Sequence, residues 1–180
     1  THEHYDHVGG LDDLRPFCRF GYVELYGEKH TFNVLKQRIP YCFAEKKYPG
    51  VPSFNLNYIE PNRKFKVGGI EIEPIRIMHY MLPIVGYRIG KFAYLTDVKI
   101  IPDEEYQKLK GLDVLVIDAL RIEEHISHEN LKQALENIKR ISPRKAYLIH
   151  MSHQIGLHDE VESTLPENVH LSYDGLEIEI

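Results

Sequence analysis

The chain has 180 residues, a formal net charge of −5 at pH 7, and 43% hydrophobic and 27% charged residues. That length and composition predict one soluble globular domain with a sizeable core. The two cysteines form no CxxC pair, which excludes a disulfide framework and favours a reducing, cytoplasmic compartment. The negative charge argues against a protein that mainly grips long nucleic acid, and no apolar run approaches the roughly 20 residues of a membrane-spanning helix.

The first seven residues contain four side chains that can bind a metal. His2 and His4 are one residue apart, so in an extended segment both imidazoles point to the same side and can meet one cation. If the chain then turns, Asp6 and His7 present a carboxylate and a third imidazole at a neighbouring position. Such a short span suits two ions better than one, and these donors fit zinc, manganese or iron better than magnesium or calcium.

The elements predicted after this segment begin with a helix and continue with strands. Residues 1–17 read as a ligand loop that leads into a helix, followed by a strand at 22–26 and a helix at 29–39. Residues 41–52 form an irregular loop, which is either a lid or a plain connector.

The rest of the chain predicts sheets that are covered by helices. Pro74 indicates an edge position or a bulge in its strand, and Ser127 is a candidate N-cap for the helix that follows it. The predicted strands are 54–59, 65–67, 70–77, 84–89, 92–95, 114–119 and 146–149, with helices at 103–109, 128–138 and 157–165 and a terminal hairpin of 169–173 with 176–180.

Three further candidate ligands each stand where an apolar strand is predicted to stop. His79, Asp97 and His150 follow the segments 75–78, 92–96 and 147–149. Each signal is weak alone, because an isolated Asp after a strand is more often a turn former. Together with the opening segment, however, they supply the context that a metal-site motif requires.

The opening pattern, His2-x-His4-x-Asp6-His7 followed by Gly10, is similar to the HxHxDH signature of the metallo-β-lactamase superfamily. The segments 148–154 and 173–178 resemble the C-terminus of one branch, the PhnP-type cyclic-phosphate phosphodiesterases, which are relatives of ribonuclease Z. The resemblance implies an α+β fold, a four-layer αβ/βα sandwich. Members carry strands before the motif, so residues 1–180 are expected to form a single metallo-hydrolase domain that is the C-terminal portion of a longer domain.

The resemblance also implies a ligand set for two divalent ions, zinc or manganese, with iron also compatible. Such a pair can trap a water between them as hydroxide, and Asp6 would orient it. The implied ligands are His2, His4 and His79 for one ion, Asp6, His7 and His150 for the other, and Asp97 as the bridge.

The leaving oxygen needs a proton, and the resemblance implies His128 as its donor. His128-Glu129-Asn130-Leu131 matches the His-x-x-Leu setting of the branch, although a helix N-terminus would disfavour the protonated imidazole. Arg121 and Tyr80 are candidate substrate-binding residues, or ordinary surface residues. His153 is either a hydrogen-bonding residue or a ligand whose partners lie elsewhere.

These observations predict a metal-dependent phosphodiesterase that acts on a small cyclic or ribosyl phosphate. The expected partner is a small phosphate ester, and neither a membrane nor a long nucleic acid is expected to bind. The sequence is also compatible with a homodimer. Two alternatives remain open: a ribonuclease Z-like nuclease that processes tRNA, and a non-catalytic metal-binding module of the same fold.

Overall fold

Residues 1–180 are all described by the computed structural model, which divides the chain into an N-terminal unit, Thr1–Arg63, and a C-terminal unit, Lys64–Ile180. Each unit has its own sheet. No helix in the chain combines the length and the apolar character that a membrane crossing requires.

The N-terminal unit is built on one parallel strand pair. Its elements are α1 (Tyr5–Val8), a 3₁₀ helix (Gly9–Phe20), β1 (Val23–Gly27), α2 (Lys29–Arg38), a 3₁₀ turn (Pro40–Cys42) and β2 (Phe54–Tyr58). The helix α2 buries Phe32 and Leu35, which lie three residues apart and therefore on one face. The predicted helix before residue 17 is mostly 3₁₀ in form and extends to Phe20.

The C-terminal unit contains a sheet of seven strands in sequence order. The strands are β3 (Phe65–Val67), β4 (Ile70–His79), β5 (Leu82–Ile89), β6 (Phe92–Leu95), β7 (Val114–Asp118), β8 (Lys145–Ile149) and β9 (Val169–Leu171). The first four strands pair antiparallel and the last four pair parallel. Consequently β4, β6, β7 and β8 all run in the same direction.

Connection length explains this mixed topology. The turns Gly68-Gly69, Tyr80-Met81 and Gly90-Lys91 reverse the chain in two residues each, and so they join antiparallel neighbours. Parallel neighbours need longer crossovers. Those crossovers contain a 3₁₀ helix (Asp103–Leu109), α3 (Leu131–Ile141), and a 3₁₀ turn (His153–Ile155) with α4 (His158–Glu162).

The core of the C-terminal unit lies between the sheet and its helices. Every residue of β7 is buried, as its uninterrupted apolar run predicts. The helix α3 adds Ala134, Ile138 and Ile141 to the same apolar cluster. The pairing of β4 with β3 ends at Ile72, before Pro74. Beyond Pro74, the backbone N–H of Arg76 donates to the Glu105 carboxylate instead of to a neighbouring strand.

Two sequence predictions about element ends are wrong. The helix predicted at 128–138 begins at Leu131, because Asn130 and Gln133 form a reciprocal capping box; the N-cap is therefore Asn130 and not Ser127. The terminal hairpin lacks its second strand, since only Val169–Leu171 pairs with a neighbour. The reversal after Tyr173 does form, but a turn signal does not specify the partner of the strand that follows it.

Glu129 is one of the buried acids of this unit, with 2% of its surface exposed. Asn137 donates a hydrogen bond to its Oε1 atom, while Oε2 has no hydrogen-bond partner. Burial, and next the neighbouring Asp118 carboxylate, raises the pKa of Glu129 from near 4.5 to about 9. The native carboxyl group therefore keeps its proton at neutral pH.

Glu129→Gln should flatten the pH dependence of stability. In the wild type, the unfolded state loses the Glu129 proton near pH 4.5 and the native state only near pH 9. The free energy of unfolding should therefore fall as pH rises through this window, and the variant should lack that share of the fall. Urea unfolding at about pH 5, 7 and 8.5 measures it, with the exposed Glu123→Gln as a control that should follow the wild type. Identical pH dependence of wild type and Glu129→Gln would contradict the buried neutral acid.

Candidate metal centre

The N-terminal unit brings its candidate ligands together over one reversal of the chain. His4 is extended and precedes α1, whose single turn returns His7 toward the start of the chain. The ring centroids of His2 and His4 are 4.5 Å apart, and those of His2 and His7 are 4.4 Å apart. Asp6 Oδ2 lies 3.3 Å from His7 Nε2. Three imidazoles and one carboxylate thus gather within this unit.

Two residues of α2 hold Glu3, the residue between His2 and His4. Glu3 alternates to the opposite side from His2 and His4, where its Oε1 lies 3.1 Å from His30 Nε2. Arg38, at the other end of α2, donates to the Glu3 carbonyl. The sequence analysis missed this support, since only the alternation at Glu3 signals it and nothing local signals His30.

In the C-terminal unit, the candidate ligands lie along one edge of the sheet. His79 ends β4, Asp97 follows β6 by two residues, and His150 directly follows β8. Because these strands run the same way, their carboxyl ends meet at one edge. His150 Nε2 lies 3.6 Å from Asp97 Oδ1 there, and the ring of His128 lies 4.6 Å from that of His79.

Two of these residues adopt a conformation that L-amino acids rarely use. Asp97 and His150 have φ angles of 57° and 59°, in the left-handed region. Such strain persists only where the surrounding structure imposes it, and it occurs often at functional sites. Thr96 donates a hydrogen bond of 2.5 Å to Asp97 Oδ2, which fixes that carboxylate further.

The hydrogen bond of His79 sets the tautomer that a metal would need. Its Nδ1 lies 2.9 Å from the carbonyl oxygen of Ser127, which can only accept, so Nδ1 carries the proton. Nε2 is then the ring atom that carries a lone pair, and an imidazole held this way is the common form of a metal-binding histidine. With the carboxylate of Asp97, the donors are nitrogen and oxygen, which fit zinc, manganese or iron.

His128 is paired with a carboxylate that the sequence analysis did not assign to the site. Its Nδ1 lies 2.8 Å from Asp118 Oδ2, and Asp118 is fully buried at the end of β7. The sequence signal that could have pointed to Asp118 is its position as a carboxylate inside an otherwise apolar run. His128 also stacks on His150 at 4.9 Å, and its Nε2 lies 3.9 Å from Asp97 Oδ1.

The helix-dipole effect expected at His128 does not apply. His128 lies three residues before α3, in a segment where Glu129 donates its N–H to Val98 at 2.6 Å. The Asp118 carboxylate, not the helix, is its close electrostatic partner. Asp118, His128 and His150 place ligand atoms within 4.8 Å of one another, so the imidazole has both an acid partner and a neighbouring donor.

The two predicted substrate residues lie in different settings. Arg121 donates from Nη1 to Gln154 Oε1 and from Nη2 to the Glu124 carbonyl, each at 2.8 Å, and so two of its nitrogens already hold the loop. Tyr80 is half exposed and adjoins His79. His153 is exposed, begins the 3₁₀ turn His153–Ile155 and belongs to none of the clusters of candidate ligands.

The loop before α3 is held by one lysine. Lys99 Nζ donates to the carbonyl oxygens of His125 and His128, at 2.7 Å and 3.3 Å. Burial, followed by the charge of His128, lowers the pKa of His125 below its ordinary value. The position of His128 therefore depends on Lys99 as well as on Asp118.

Comparison with known proteins identifies relatives of this architecture. Residues 1–151 match the family described as the beta-lactamase superfamily domain. A crystal structure described as a new diphosphatase from the PhnP family aligns with a TM-score of 0.90 and 34% sequence identity, covering 100% of this chain and 69% of that chain. The predicted fold class, with its mixed αβ content and large mixed sheet, is confirmed by these matches.

Two curated relatives carry other names. The octanoyltransferase of Porphyromonas gingivalis is 44% identical over 178 residues, which are 98% of this chain and 36% of that protein. The 3′,5′-cyclic-nucleotide phosphodiesterase of Candida albicans is 30% identical over 104 residues, 55% of this chain and 21% of that protein. This chain thus spans about a third or less of the length of either relative. From the family match and the PhnP-family structure together, the chain belongs to the β-lactamase superfamily and, within it, to the PhnP family.

Proposed function

We propose that this chain is a metal-dependent phosphodiesterase whose substrate is a small cyclic or ribosyl phosphate. The single observation that carries the proposal is the sheet edge at which His79, Asp97 and His150 stand beside the buried His128–Asp118 pair. Ligands for a cation and a candidate proton donor thus stand together in one unit of the chain.

The proposed ligand set includes residues of both units of the chain. His79 offers Nε2, and Asp97 offers a carboxylate that Thr96 orients. When bound, two divalent cations supply the Lewis acidity that polarises a phosphoryl oxygen and activates a water. The proposed ligands are His2, His4, Asp6, His7, His79, Asp97 and His150.

The chain's own side chains would then manage the protons. Asp6 is exposed and is the carboxylate that we assign to orienting the attacking water. His128 would donate a proton from Nε2 to the leaving oxygen, while Asp118 holds its Nδ1–H and stabilises the charged ring. No serine or cysteine nucleophile enters this scheme.

Phosphate chemistry is favoured over other substrates by two of the related proteins. One is described as a diphosphatase and another is named a cyclic-nucleotide phosphodiesterase. The net charge of −5 is compatible with a small anionic substrate when cations supply the local positive field, but it disfavours a long nucleic acid. A ribonuclease Z-like activity is therefore the weaker alternative, and cleavage of a tRNA precursor would restore it.

A second candidate is acyl transfer or thioester cleavage, and one observation favours it. The Porphyromonas gingivalis relative named octanoyltransferase is 44% identical to this chain. However, this chain corresponds to only 36% of that protein, so the name need not describe the part that is shared.

The substrate class can be tested with three types of substrate, a phosphodiester, a cyclic amide and a thioester. Zinc- or manganese-loaded protein should hydrolyse bis(p-nitrophenyl) phosphate faster than either a β-lactam or an octanoyl thioester, because the proposed site stabilises charge growing on phosphoryl oxygens. Initial rates measured with and without a chelator provide the comparison. Preference for the thioester would favour acyl chemistry, and binding of metal without any turnover would favour the non-catalytic module.

The proton-donor role of His128 can be tested through the leaving group. A cyclic ribose phosphate expels an alkoxide, which needs a proton, whereas p-nitrophenolate leaves without one. His128→Ala and Asp118→Asn should therefore lower kcat about 100-fold on a 2′,3′-cyclic nucleotide and far less on bis(p-nitrophenyl) phosphate. His158→Ala is the matched control, since His158 is exposed and contacts Asp159 and Tyr173, neither of which belongs to the proposed site. Equal losses on both substrates would assign His128 to binding instead of proton transfer.

A further inference from the structure

Four residues other than glycine have left-handed backbones: Tyr80, Asp97, Ser142 and His150. Ser142 is the C-cap of α3, where a left-handed residue is ordinary. Asp97 and His150 stand at the candidate metal centre. Tyr80 has neither explanation, and it directly follows the candidate ligand His79.

Tyr80 occupies the first position of the two-residue turn between β4 and β5. The pair His79 and Leu82 closes this hairpin, and Tyr80 has a φ angle of 56°. Glycine takes this conformation without steric cost and is the residue that such turns favour. A bulky aromatic residue there is a conformational outlier, so its side chain must have a use that offsets the strain.

The fold itself does not supply that use. Tyr80 is 50% exposed, and neither its hydroxyl nor its ring makes a hydrogen bond or ring contact within the chain. The neighbouring Met81 is 74% exposed, so no apolar cluster closes over the turn. The half-exposed tyrosine instead adjoins in sequence a residue that the proposed function assigns to the metal.

We propose that Tyr80 is a specificity-determining residue whose ring stacks on a planar base carried by the phosphate ester. The inference rests on the proposed function, because it requires the phosphate to bind at the edge marked by His79. Adjacent Cα atoms are 3.8 Å apart, so a phosphate near His79 leaves the rest of a nucleotide within reach of the Tyr80 ring. Tyrosine suits this role, since its rigid ring stacks on any base face at little entropic cost.

The test compares binding of AMP and ribose 5-phosphate, which differ by the base. Isothermal titration of the zinc-loaded full chain should give AMP about tenfold tighter binding than ribose 5-phosphate, as one stacked base provides. Tyr80→Gly should abolish that preference, and Tyr80→Phe, which keeps the ring, should retain it. Tyr80→Gly should also leave the melting temperature unchanged or raise it by about 2 °C, because glycine relieves the strained turn.

Ser142→Gly is the matched control, since it relieves the same backbone conformation at the far end of α3. It should affect the melting temperature as Tyr80→Gly does and leave the AMP preference intact. The inference is overturned if the wild type shows no preference for AMP, if Tyr80→Gly keeps it, or if Tyr80→Gly melts several degrees lower. If the preference behaves as expected but no phosphate ester is hydrolysed, the proposed function fails and the stacking role stands.

Discussion

The candidate site depends on one geometric constraint, the common direction of β4, β6, β7 and β8. Two hairpins return the chain so that β4 and β6 run alike, and crossovers then keep β7 and β8 parallel to them. Parallel strands present their carboxyl ends at one edge, where side chains leave the sheet without disturbing its apolar interior. The candidate ligands are therefore concentrated at the strand ends, where the backbone hydrogen bonding of the sheet stops.

Buried polar groups make that edge rigid. His79 is tied to the Ser127 carbonyl, His128 to Asp118, and Asp97 to Thr96. Each bond fixes the orientation of a ring or carboxylate before any ligand arrives, which lowers the reorganisation needed on binding. The left-handed backbones of Asp97 and His150 stand at the same strand ends, and such conformations occur often at functional sites.

The sequence contains much of this arrangement because strand ends and ligand types are local signals. The runs that precede His79, Asp97 and His150 predict strands, and all three residues do stand at strand ends. The hairpin turn at Gly90-Lys91 and the buried strand β7 were predictable for the same reason.

Other features depend on contacts between distant residues and could not be predicted. The Asp118–His128 pair spans ten positions, and a lone carboxylate in an apolar strand does not name its partner. The N-cap is Asn130 and not Ser127, because Gln133 completes a capping box with Asn130. Both residues are polar N-cap candidates, so the sequence alone did not decide between them. Residues 176–180 form no strand, because an alternating sequence does not specify a neighbouring strand with which to pair.

The most direct test of the central claim is anomalous diffraction from crystals of the zinc- or manganese-loaded protein, collected on both sides of the metal edge. The account predicts two peaks about 3.5–4 Å apart at the carboxyl ends of β4, β6 and β8, with His79, Asp97 and His150 among the ligands. A single peak, or peaks remote from the carboxyl ends of β4, β6 and β8, would contradict it.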